Sequence, residues 1–292
     1  MNVILSVGIT GSGKYKKATN FINTNEGWLL ISIFDIRKSV YNMNYGDEHF
    51  TYKKWNESLE SYTETMKESI IKAAINNDQI QGIYLVDTHL NKTYLQKTIN
   101  LLQSYGVPPN NIKIEYNDAR FIDAVQRDAM RLVSVGAFMI AKEKLSYNKL
   151  QVDKLIYLDK KPECVIISLD GCLSESKYYD VKDALDYKCN KFLKSLIQNQ
   201  ENLMVVSTRL GNEVNILLTQ EWLKKNTISH QKLYLKDSYC KLSDFKYKES
   251  VLVNNIYPYY NVLGAIDNDL ESAFMYQSYG VEVLTINNQW KF

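Results

Sequence analysis

Proline and cysteine are scarce in this chain, four of each in 292 residues, with only 12 glycines and three histidines. So few backbone breakers leave little irregular chain and favour regular elements joined by short connections. The cysteines (Cys164, Cys172, Cys189, Cys240) have no C-x-x-C spacing, and His49, His89 and His230 are scattered. That argues against a structural zinc site and gives no disulfide framework, as expected of a reducing compartment. No apolar run approaches the ~20 residues that a membrane helix needs. Met1-Asn2 leads straight into the first apolar run, so no secretory leader is expected. Charge of one sign is also missing. At a net +2 any nucleic-acid site must be a local patch, not the field of the whole molecule.

What is present is an alternation of short apolar runs and helix-length segments. Strands are predicted over Val3–Val7, Trp28–Ile33, Gly82–Val86 and Ile112–Tyr116. Helices are predicted over Lys14–Asn23, Lys53–Ala74, Lys92–Tyr105 and Phe121–Arg131, the last started by Asp118 or Asp123. The polar segment Lys142–Glu163 reads as a hinge. The alternation then restarts with strands over Cys164–Ile167, Leu203–Ser207, Lys232–Leu235, Val262–Ile266 and Val281–Ile286, and helices over Lys182–Gln198, Val214–Lys225 and Leu270–Tyr279. The expectation is two α/β domains, residues 1–150 and 151–292, each with a parallel sheet and its ligand site at the strand C-termini.

Two motifs carry chemistry. Gly8-Ile9-Thr10-Gly11-Ser12-Gly13-Lys14 follows the first strand and matches G-x-x-x-x-G-K-[ST] up to its last position, which is Tyr15. Such a turn aims backbone N–H groups and a helix N-terminus at phosphate, and the lysine reaches the outer phosphates. A phenol on a ring cannot put its oxygen where a seryl hydroxyl ligates magnesium. The second motif, Ser168-Leu169-Asp170-Gly171-Cys172, follows Cys164–Ile167 and matches D-x-D-G-T with serine at the nucleophile position.

On these motifs the chain resembles the bacteriophage polynucleotide 5′-kinase/3′-phosphatase, or end-healing, family over nearly its whole length. The resemblance implies a P-loop kinase-like doubly wound sheet followed by a HAD (haloacid dehalogenase)-like phosphatase domain, with ATP and Mg as cofactors. In Ile33-Phe34-Asp35-Ile36-Arg37, Arg37 matches the family's acceptor arginine, and the catalytic base position falls on Phe34. A hydrocarbon ring accepts no proton, and recruiting Asp35 by a one-residue slip would turn the carboxylate to the opposite side of a strand. Asp87-Thr88-His89-Leu90-Asn91 resembles the family's D-T-N-L-N string, which implies that Asp87 and His89 help hold a nucleic-acid end. Arg127 and Arg131 resemble its phosphate-facing arginines and share a helix face at i, i+4.

In the second half, the resemblance implies a phosphate pocket of Ser168, Ser207, Arg209 and Lys248, with Asp170 as catalytic acid–base and Asp170 and Asp267 on magnesium. Asn268 stands where the family has a second metal-binding aspartate, and Cys172 where it has threonine. Without an aspartate at 168 the aspartyl-phosphate route is closed.

Three functions stay open at this point. The protein is a pseudoenzyme binding nucleotide, nucleic-acid ends or a protein partner. Alternatively it is an active ATP-dependent polynucleotide or nucleoside kinase using Asp35 or Asp87, with a dead phosphatase domain. Alternatively it is a scaffold subunit of a phage transcription, replication or anti-defence complex. Arg37, Lys53, Lys54, Arg127 and Arg131 are the candidates for a local positive groove, and Tyr257-Pro258-Tyr259-Tyr260 for an interaction surface. The resemblance also implies self-association and a cytoplasmic setting in a phage-infected host, with no membrane partner.

Overall fold

Alternation of side chains along Asn2–Val7 makes this segment strand β1, buried on both faces. Val3, Leu5 and Val7 enter one apolar cluster and Ile4 another. The computed structural model describes residues 1–45, 56–131, 134–175 and 185–286. They belong to two units, Met1–Gln151 and Val152–Phe292.

The first unit runs β1, α1 (Lys14–Thr24), β2 (Trp28–Ser32), α2 (Ile33–Tyr45), α3 (Glu57–Ile75), β3 (Gly82–Val86), α4 (Lys92–Ser104), β4 (Ile112–Tyr116), α5 (Phe121–Ala129) and α6 (Ala137–Gln151). Its sheet has the order β2-β3-β1-β4, with parallel pairing throughout. β1 lies inside the sheet, and the chain leaves it to one side and returns as β4 on the other. That reversal opens a crevice at the C-terminal end of β1, where the glycine loop sits.

Two expectations change here. β2 stops at Ser32, whose hydroxyl accepts the Asp35 amide at 3.2 Å and starts α2. Phe34 and Asp35 are therefore helical neighbours, about 100° apart around an axis, and not on opposite faces of a strand. The predicted hinge Lys142–Glu163 is helix over its first ten residues, because α6 runs to Gln151. Its buried side chains Ile140, Lys144 and Tyr147 form one stripe, and the Lys144 ammonium donates to Asp118 at 3.0 Å and to the Ala119 carbonyl at 2.7 Å. Asp118 thus holds α6, while α5 begins after Arg120, with Asp123 in its first turn. The predicted helix from Lys53 is described from Glu57 onward, capped by Asn56, so Lys53 and Lys54 lie outside the described residues.

The second unit runs β5 (Glu163–Ser168), α7 (Lys191–Ile197), β6 (Leu203–Leu210), α8 (Glu213–Lys225), β7 (Lys232–Lys236), α9 (Asp244–Val251), a π turn (Leu252–Ile256), β8 (Asn261–Asp267), α10 (Leu270–Ser278) and β9 (Glu282–Thr285). The predicted helix from Lys182 starts at Lys191 behind its Asn190 cap, and residues 182–184 lie outside the described ones. The sheet order is β7-β6-β5-β8-β9, again all parallel. Cys164 and Ile166 pack on one face, Val165 and Ile167 on the other. The order reverses at β5, which brings the ends of β5 and β8, Ser168 and Asp267, side by side.

Candidate functional site

Each unit places its motif at its own switch point. In the first, Gly13 caps α1 with φ 88° and Gly11 turns the loop with φ 80°. A Cβ on Gly11 would lie 2.4 Å from the Ala124 carbonyl oxygen, and one on Gly8 2.6 Å from that of Asn117. Glycine is required at both because the loop is pressed against α5 and the end of β4. Arg127 of α5 donates to the Gly11 carbonyl at 3.1 Å. The Ser12 hydroxyl is buried and has no hydrogen-bond partner among the described residues, an orphan group inside the cradle.

Lys14 is buried and donates to the carbonyls of Gly8 and Ile9, both at 2.8 Å. Burial lowers its pKa to about 8, against the pull of Glu143 and then Asp87, and Arg131 adds to the lowering. The negative charge of Asp35 is the main cause that raises the Tyr15 phenol above its ordinary value. Phe34 packs partly buried on the core, with the Arg131 guanidinium 5.5 Å above its ring.

Arg37 makes a two-point bond to Glu60, 2.8 Å from Nε and 2.9 Å from Nη2, which ties α2 to α3. Asp87, at the end of β3, is partly buried. Burial alone would raise its carboxyl, but His89, Lys67, the Thr88 amide at 2.6 Å and the Tyr94 hydroxyl at 2.9 Å outweigh that and hold it below the ordinary range. Tyr94 also accepts from Lys67 at 2.7 Å and lies 3.0 Å from Glu64. His89 has φ 49°, a conformation uncommon outside glycine. Its Nδ1 donates to the Ser6 carbonyl at 2.9 Å, while Nε2 is buried without a partner among the described residues. A strained backbone and an orphan ring nitrogen beside a phosphate loop mark a position held for something other than packing.

The second unit collects its motif residues more tightly. Lys248 of α9 donates to both Asp267 oxygens at 3.0 and 2.7 Å and to the Ser168 hydroxyl at 3.2 Å. Arg209 donates to both oxygens of Asp170, from Nε at 2.9 Å and from Nη2 at 2.6 Å, and Ser207 adds a bond at 3.0 Å. Burial pushes the Asp267 carboxyl up, with Lys248 opposing. Burial likewise pushes the Cys172 thiol well above its ordinary range, which makes it inert packing. Asn268 lies against Gly171, where a Cβ would fall 2.1 Å from its amide nitrogen.

Among the described residues no group of three or more His, Cys, Asp and Glu side chains could hold a metal ion. The two carboxylates of the second site are each saturated by a cation of the protein. In the glycine loop Gly8 and Gly11 are in close backbone contact, the Ser12 hydroxyl has no partner among the described residues, Arg127 lies on the Gly11 carbonyl, and Lys14 is turned back onto the carbonyls of Gly8 and Ile9.

Residues that the motifs did not reveal complete the first site. Glu143 accepts the Thr10 amide at 2.6 Å and the Thr10 hydroxyl at 3.1 Å. Glu60, Glu64, Lys67 and Tyr94 are the partners of Arg37 and Asp87 described above. No motif flags them, because each meets its partner only through folding.

Residues 162–289 match the family model of the polynucleotide kinase PNKP phosphatase domain, HAD_PNKP. The chain also aligns with a chain in the structure of the Pnkp1/Rnl/Hen1 RNA repair complex, covering 98% of itself and 95% of that chain at 20% identity and a TM-score of 0.41. A second structure of a Pnkp1/Rnl/Hen1 complex aligns over 98% and 96% at 19% identity and a TM-score of 0.42. The family match begins one residue before β5 and extends past β9, so the sheet that carries Ser168, Asp170 and Asp267 is a HAD-type α/β domain similar to the phosphatase domain of the polynucleotide kinases.

Proposed function

We propose that the protein is an end-binding relative of the polynucleotide kinase/phosphatases that has lost both catalytic steps, a pseudoenzyme at work in a phage-infected cell. The observation that carries this reading is the hydroxyl at position 168. It receives a hydrogen bond from an ammonium, Lys248, and no described group beside it accepts its proton. A serine so placed is not an activated nucleophile. In the first unit Phe34, at the position where the resemblance puts the catalytic base, offers no proton acceptor.

Binding groups survive where reacting groups do not. Gly8, Gly11, Ser12, Gly13 and Lys14 receive the phosphates of ATP, and Arg127 and Arg131 contact the backbone phosphates of a nucleic-acid end that Asp87 and His89 help position. Fluorescence anisotropy with 5′-hydroxyl, 3′-phosphate oligonucleotides tests this reading. Binding is expected to weaken as salt rises. Arg127→Ala with Arg131→Ala should lower affinity and flatten the salt slope by about 0.7 for each phosphate no longer neutralised. Absence of binding to DNA or RNA ends at low salt would contradict it and favour a protein partner.

A further inference from the structure

The glycine loop already holds an anion of its own. Glu143 reaches from α6 across 133 residues of sequence to accept both the amide and the hydroxyl of Thr10. These are charge-assisted bonds, and the 2.6 Å contact is short for an amide donor. Lys14, which would reach for phosphate, is instead folded back onto the carbonyls of its own loop. Glu143 is also the carboxylate that does most to keep Lys14 charged.

α6 is set firmly enough to aim this side chain. Asp128 is buried and accepts the amides of Val135 and Gly136 at 3.0 Å and the Ser134 hydroxyl at 2.6 Å, just ahead of the helix. Lys144, next to Glu143, is pinned to Asp118 and Ala119. Glu143 also helps to line a groove of ≈ 340 Å³, together with Thr88, Asn91, Tyr94, Lys142 and Ser146.

We infer that Glu143 is a tethered competitor for the phosphate loop: nucleotide phosphates enter only as this carboxylate swings out into the neighbouring groove. The inference rests on the reading that the loop takes nucleotide phosphates. A negative charge beside the cradle repels a polyphosphate, and its bonds to Thr10 must be broken before the loop can remodel around the ligand. Glu143→Gln removes the charge with the shape kept, so the affinity for ATP is expected to rise on the order of tenfold. A carboxylate that merely braced the loop would give the opposite sign, since loosening the brace weakens binding.

The test is a titration of the full chain with a fluorescent ATP analogue, comparing wild type, Glu143→Gln, Thr10→Ala and Lys14→Ala. Thr10→Ala removes one of the two bonds without touching α6 and is expected to tighten binding by a smaller factor. Tighter binding in both, abolished in Lys14→Ala, supports the inference. If wild type binds ATP and both variants bind equally or more weakly, the competitor role is wrong while the loop's reading stands. If no variant binds ATP at all, the loop's reading fails and the inference falls with it.

Discussion

Lys14 sets the behaviour of the loop at the scale of single residues. Its ammonium is buried and its pKa is lowered to about 8, burial being the main cause. The folded value lies below the unfolded one, so the unfolded chain binds more protons between about 8 and 10.5, and stability contributed by this residue rises with pH across that window. Anion binding moves the other way. Below about 8 the residue is charged, and affinity is expected to be flat. Above it, a proton must be taken up on binding, and affinity for ATP is expected to fall by up to about tenfold per pH unit. Calorimetric titrations between about pH 6.5 and 9.5 check this, with Lys14→Met losing both the affinity and its pH dependence. A profile that stays flat to about pH 9.5 would show that Lys14 does not face the ligand. The residues that stand out in sequence are those whose spacing alone fixes their geometry: Gly8 to Lys14, and Ser168 with Asp170. Glu143, Glu60 and Lys67 stand out nowhere, because what makes them matter is a partner between 23 and 133 residues away or a burial that sequence does not display.

Among the elements, the strands are readable because a strand buried on both faces is a short unbroken apolar run, as in β1, β3 and β5. α6 is not, and the reason is local. Its buried stripe of Ile140, Lys144 and Tyr147 has a lysine in the middle, which breaks the apolar period and makes a packed helix look like a polar linker. The start of α2 is hidden because Ile33 continues the apolar run of β2, and only the Ser32 cap marks the change. α9, which delivers Lys248, has no legible period either, its buried face being Tyr247, Lys248 and Val251. α6 also gives the element its own prediction. The Asp128 carboxylate gathers two amides and a hydroxyl ahead of the helix, so Asp128→Ala strands buried donors. A loss of about 2–3 kcal/mol in urea unfolding is expected, from the usual value of hydrogen bonds to a charged group. A loss under about 0.5 kcal/mol would mean that α6 is seated by its apolar contacts alone.

For the whole molecule, the restart of the β-α alternation after residue 163 and the two units of the fold agree on two parallel sheets, each with its motif where its strand order reverses. The proposed loss of both reactions is harder to see from either half. One substitution could be borne. Here the reacting positions of both halves are altered together, Tyr15 and Phe34 in one, Ser168 and Asn268 in the other, while the residues that would grip phosphate remain. In the second site Asp170 is paired with Arg209 and Asp267 with Lys248. The loss of both catalytic steps is tested most directly by mass spectrometry of one oligonucleotide carrying a 5′-hydroxyl and a 3′-phosphate, incubated with the protein, ATP and magnesium beside an active polynucleotide kinase/phosphatase. An unchanged mass at both ends over hours is predicted, although the oligonucleotide is bound. Loss of the 3′-phosphate, or gain of a phosphate at the 5′ end, abolished respectively by Asp170→Ala or Lys14→Ala, would contradict it.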